Sequence, residues 1–100
     1  MILRTCVAVA VIATAGTAQA ASKKQIDCGH QASVVAAIQQ ARLERVSERK
    51  VAAHVVENAT WPENYNGAIP IMTPWVYEMK MRDVKKQDLS AAWKELCLQQ

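Results

Sequence analysis

The chain has 100 residues, 51% of them apolar, with twelve basic and nine acidic side chains and a formal net charge of +3. That length admits one small domain with a thin core, the more so because the sequence contains no Phe. Charges of both signs alternate without a basic stripe, which argues against nucleic acid as a partner.

Residues 1–20 read as a secretory signal peptide, leaving residues 21–100 as the working domain. Arg4 supplies the basic start, an apolar run follows from Cys6 to Ala15, and Ala18-Gln19-Ala20 offers small residues for cleavage before Ala21. The run is well short of the roughly 20 residues that span a bilayer, so no membrane span is expected after cleavage. Cys6 opens the apolar run instead of closing it, which speaks against a lipoprotein. Removing Arg4 from the twelve basic residues leaves eleven against nine acidic ones. The next segment, Ser22-Lys23-Lys24-Gln25, is expected to be a short, solvated basic arm.

With Cys6 removed, Cys28 and Cys97 are the remaining sulfurs, and an even pair in an exported chain reads as one disulfide. The expected location is therefore periplasmic or secreted.

The first helix is expected from Asp27, as N-cap, to about Arg45. Cys28, Ala32, Val35, Ile38 and Val46 lie on its inner stripe, with Gln39, Gln40, Arg42 and Glu44 on or beside the wet side. Ser47 is positioned to cap a second helix running from Glu48 to about Asn58, with Val51, Val55, Val56 and Ala59 facing inward. Trp61-Pro62-Glu63-Asn64-Tyr65-Asn66-Gly67 breaks the periodicity, and Asn66-Gly67 marks a turn. Ile69, Pro70, Ile71 and Met72 read as an extended apolar link across the helices. Thr73-Pro74 is the pattern of a helix start, so a third helix is expected from Pro74 to about Arg82. The last helix opens between Asp83 and Asp88 and carries Leu89, Ala92, Trp93 and Leu96 at helical spacing. The expectation is an all-α bundle of three to four helices, with a nonhelical middle segment and one disulfide as clamp.

Few residues invite chemistry. Cys28-Gly29-His30 resembles a nucleophile and base, with His54 as a second base, but residues two apart on a helix face different ways and the bridge occupies the sulfur. Two histidines and one Cys-x-His make no metal spacing, so no metal and no cofactor are expected. Met72, Met79 and Met81 with Trp75 and Tyr77 form either a soft binding surface or, the preferred reading, core filler. Asn58-Ala59-Thr60 has the form of a glycosylation sequon, relevant only to a eukaryotic secretory pathway. Trp61, Tyr65 and Ile69 are the candidate contact patch; a loop pinned inward by its own Trp is the equal alternative.

The order of these features resembles a loose group of small exported helical proteins of Gram-negative bacteria. It consists of a leader, Cys28, a helix bearing Arg42, Ser47 opening the next helix, Val76-Tyr77, and a helix closing on Cys97. The resemblance implies an all-helical, disulfide-clamped periplasmic protein without an active site. Members of the group often end the first helix on a Gly about three residues after the arginine. Here Arg45 stands in that place.

The functional expectation is a non-enzymatic binding or interaction protein of the cell envelope, one that docks on an envelope protein or blocks a delivered toxin. Two alternatives belong to other classes. An acid-stress periplasmic chaperone would share the size, helicity and single disulfide. A small hydrolase would need Cys28 as a free thiolate.

Overall fold

The computed structural model describes residues 22–100. The expected signal peptide, residues 1–20, lies outside them. Among the described residues there are five α-helices and no strands, so the all-α class holds. The helices are α1 (Lys23–Leu43), α2 (Val51–Val56), α3 (Ile69–Tyr77), α4 (Met81–Lys86) and α5 (Leu89–Leu98). Short 3-10 helices, Glu48–Lys50 and Glu63–Ala68, lead into α2 and α3. No helix among the described residues is long and apolar enough to cross a membrane.

Helix α1 is the spine against which α2, α3, α4 and α5 all pack. It starts one turn before the expected Asp27. The Ser22 hydroxyl accepts the Gln25 N–H at 3.1 Å, and Gln25 Oε1 accepts the Ser22 N–H at 3.0 Å. This is a capping box, which satisfies two orphan backbone donors at once. Ser22-Lys23-Lys24-Gln25 is therefore the first turn of the helix and not a loose arm. The inner stripe of α1 is Cys28, Ala32, Val34, Val35, Ile38 and Ala41.

The other end of α1 closes on an unusual residue. The Val46 N–H reaches back to Ala41 O at 2.9 Å and the Arg45 N–H to Arg42 O at 3.1 Å. That pair of bonds is the Schellman motif, which demands a left-handed residue at its penultimate position. Arg45 occupies it with φ 62°. A side chain there crowds its own backbone, a strain that glycine avoids. Arg45→Gly is expected to raise stability by about 0.5–1 kcal/mol, with a urea midpoint shifted upward at constant slope. A lower midpoint would show that the Arg45 side chain contributes more than its backbone costs.

Beyond the turn, Ser47 occupies the N-cap position but makes no side-chain cap bond. Val51 and Val55 are buried as expected, whereas Val56 and Ala59 are exposed, because α2 ends at Val56. The middle of the chain is helical, which corrects the expected extended link. Ile69, Met72, Thr73 and Val76 follow the i, i+3, i+4, i+7 rule and form the buried face of α3. Pro70 sits in the first turn, where a missing N–H costs nothing, so the helix starts there and Pro74 falls inside it. Thr73, expected as a cap, instead donates its hydroxyl to Ile69 O at 2.6 Å.

The helix expected from Pro74 to Arg82 breaks at Glu78–Lys80. A continuous helix would turn Val84 about 80° away from Val76; the break lets both be fully buried. Gln39, expected on the wet side, reaches across to α4. Its side-chain N–H2 donates to Val84 O at 2.7 Å and Gln87 O at 2.8 Å, satisfying carbonyls that the end of α4 leaves open.

Helix α5 begins at Asp88, whose carboxylate accepts the Ala91 N–H at 3.0 Å and the Ser90 hydroxyl at 2.9 Å. The Ala91 N–H, and after it Ser90, hold this carboxyl below its ordinary pKa. A lowered acid contributes stability that is present above its unfolded pKa and lost as pH falls through the folded one. Asp88→Asn keeps a cap without the titration. It should therefore flatten the fall of Tm through and below the ordinary carboxylate range, while leaving Tm at neutral pH little changed.

Candidate interaction surface

Cys28 and Cys97 are bonded, with Cα atoms 5.7 Å apart. The bond fixes α5 antiparallel to the first half of α1, and the register follows from it. One turn further along α1 is Gln31; one turn back along α5 is Trp93. The Trp93 indole N–H donates to Gln31 Oε1 at 3.0 Å. At the open end, the Lys24 ammonium donates to the Gln100 main-chain carbonyl. The Trp93 ring also leans on Trp75 of α3, with centroids 5.6 Å apart and planes tilted by 55°.

Between these braces lies a groove of about 420 Å³ lined by Gln31, Trp93, Leu96, Cys97 and Gln100. Leu96 belongs to the stripe expected to face inward, yet it is 53% exposed. α5 packs on α1 by one side, the side that carries Cys97, and among the described residues none covers Leu96 on the other. Leu89, at the start of the same stripe, is fully buried and Trp93 is half-buried. Thus α5 slides from core to surface along its own axis.

The contact patch expected at Trp61, Tyr65 and Ile69 is not a surface. Trp61 is 7% exposed and Ile69 1%, and both belong to the hydrophobic core. The 3-10 turn Glu63–Ala68 rolls these residues inward, and the Trp61 indole N–H donates to Asn66 Oδ1 at 2.8 Å. Tyr65 is half-buried, donates its hydroxyl to Asp27 and lies 4.9 Å from the His30 ring. The hydrogen bond to Asp27, with burial and the carboxylate charge, raises the Tyr65 phenol above its ordinary value. The loop is pinned to the core by its own Trp, the second of the two readings open from sequence.

The remaining candidates are placed as follows. His30 faces Tyr65, and the Cys28 sulfur is bonded to Cys97. His54 is half-exposed, with its Nε2 3.3 Å from Glu44 Oε2. No three His, Cys, Asp or Glu side chains gather in a metal-binding arrangement among the described residues. Met72 is buried and Met79 packs against the core, as core filler would. Asn58, Ala59 and Thr60 are all exposed.

Arg42, placed on or beside the wet side from sequence, is half-buried and covers the Tyr77 ring at 5.1 Å. Its Nε is buried with no hydrogen-bond partner among the described residues. Tyr77 donates its hydroxyl to Val46 O at 2.6 Å, so Arg42, Val46 and Tyr77 lock the turn after α1 to the end of α3. Burial is the main cause that raises the Tyr77 phenol above its ordinary value. Gln31 was missed from sequence. Its signal was the bridge itself, since a Cys28–Cys97 bond between antiparallel helices places residue 31 opposite residue 93.

Comparison with known protein families, with curated proteins and with solved structures finds no match to this chain.

Proposed function

We propose that this chain is exported and acts in the cell envelope, or outside the cell, by binding another protein, without catalysing a reaction. The α1–α5 groove is its docking face. The observation that carries the reading is Leu96, an apolar side chain held open beside Trp93 on a helix end that is braced three ways. The disulfide, the Trp93–Gln31 bond and the Lys24–Gln100 contact hold the groove's shape before any partner arrives. A preformed groove loses little conformational entropy on binding, and a tryptophan such as Trp93 is among the side chains that most often anchor an interface.

The test is saturable binding of envelope proteins to the immobilised, processed, oxidised chain, run beside Leu96→Glu. The substitution lies on an exposed position, so Tm should hold within a few degrees while affinity falls at least about ten-fold. Absence of any saturable partner, or equal binding by both proteins, would overturn the reading.

A further inference from the structure

The two halves of the disulfide are not equivalent toward an incoming thiol. Cys28 is 1% exposed, sealed in the stripe that α1 turns toward the core. Cys97 is partly exposed and lines the groove, where its Sγ lies 3.8 Å from Oε1 of Gln31, another groove residue. A thiolate attacks a disulfide at whichever sulfur it can reach. We propose that Cys97 is the exchange site of this protein: thiols enter through the α1–α5 groove and form their mixed disulfide with Cys97, not with Cys28.

The electron count is simple. A thiolate RS⁻ bonds to Cys97 Sγ, the Cys28–Cys97 bond breaks, and its electron pair leaves on Cys28 Sγ as thiolate. That product is buried and costly as a charge, so Cys28 either takes a proton or attacks the Cys97–SR bond and expels RS⁻. Closure of the bond in the newly exported chain runs the same step in reverse. The Cys97 thiolate attacks a donor disulfide RSSR, whose S–S bond breaks and releases one RS⁻; the Cys28 thiolate then attacks Cys97 Sγ and expels the second RS⁻. Oxidant and reductant are thus the same class, a thiol and its disulfide, and the site needs neither metal nor cofactor. The proposal stands apart from the binding function, because it rests on the different burial of the two cysteine residues and on the place of Cys97 in the groove lining.

The experiment exposes the oxidised, processed protein to reduced glutathione, quenches at short times with excess N-ethylmaleimide in guanidinium chloride so that a buried thiol is also reached, and maps the peptides. The expected product carries glutathione on Cys97 and maleimide on Cys28 in the same molecule. It should exceed the opposite labelling at least ten-fold, with a rate proportional to glutathione concentration. The same reaction in urea should label both cysteines comparably, which shows that the fold imposes the choice. Equal or reversed labelling of the native protein overturns the proposal. So does a rate that no longer rises with glutathione, because the bond would then open only after unfolding.

Discussion

Complete reduction of the Cys28–Cys97 bond is expected to lower the melting temperature by roughly 20 °C. The bond closes a loop spanning 69 positions, and the chain-entropy account assigns a loop of that size about 4 kcal/mol. Domains of this length hold only about 5–15 kcal/mol in total, so the bond is a large share of the whole. The structure adds a local reason. Helix α5 is short, Leu96 and Leu98 in its last turn are exposed, and Leu89 is its one fully buried residue. Without the bond, α5 should fray from its C-terminal end inward and expose the Trp93–Trp75 pair. Thermal melts by circular dichroism, with and without reductant, give the global number, and tryptophan emission reports the local event. An unchanged melting temperature after verified reduction would show that packing alone holds α5 in place.

Trp61→Ala is expected to cost about 3–5 kcal/mol, enough to unfold a large fraction of molecules near physiological temperature. Trp61 belongs to the same core cluster as Val55, Ile69 and Met72, and its N–H is satisfied by Asn66. Truncation opens a cavity and leaves the Asn66 carbonyl unpaired, so two costs add. The contact-patch reading makes the opposite statement: a surface Trp could be removed with little change in stability and a loss of binding. Urea denaturation separates the two. Trp61→Phe serves as the milder comparison, since it keeps most of the apolar volume and should lose about half as much or less. If Trp61→Ala left the urea midpoint unchanged, Trp61 would have to be restored to the surface.

Much of the fold was legible because helices announce themselves by spacing. Cys28, Ala32, Val35 and Ile38 were expected inside and are buried, and the pairing of Cys28 with Cys97 followed from counting. The exact end of the first helix was less legible, because arginine tolerates a positive φ poorly; Arg45 takes a φ of 62° there all the same. The errors have separate physical causes. Ile69-Pro70-Ile71-Met72 is a short apolar run, and such a run has the same look as a strand or a link until a neighbour chooses its face. Ser22 and Gln25 carried a capping box that the two adjacent lysines obscured, because the segment was read by charge and not by hydrogen bonding. Gln39 was placed on or beside the wet side by its polarity, although a long amide is well suited to reach the open carbonyls of α4.

The candidate site was less legible than the fold. The sequence alone determined the class, the bridge and the apolar stripes, since these depend on residue types and on spacing along one chain. Which part of a stripe stays covered depends on where a second helix stops, and no local pattern encodes that. Only the tertiary structure decided that Trp61 and Ile69 turn inward while Leu96 is left open. The reason is packing: α1 presents one limited face, α3 and the turn before it occupy part of that face, and α5 lies along its first half with the Leu96 side turned outward.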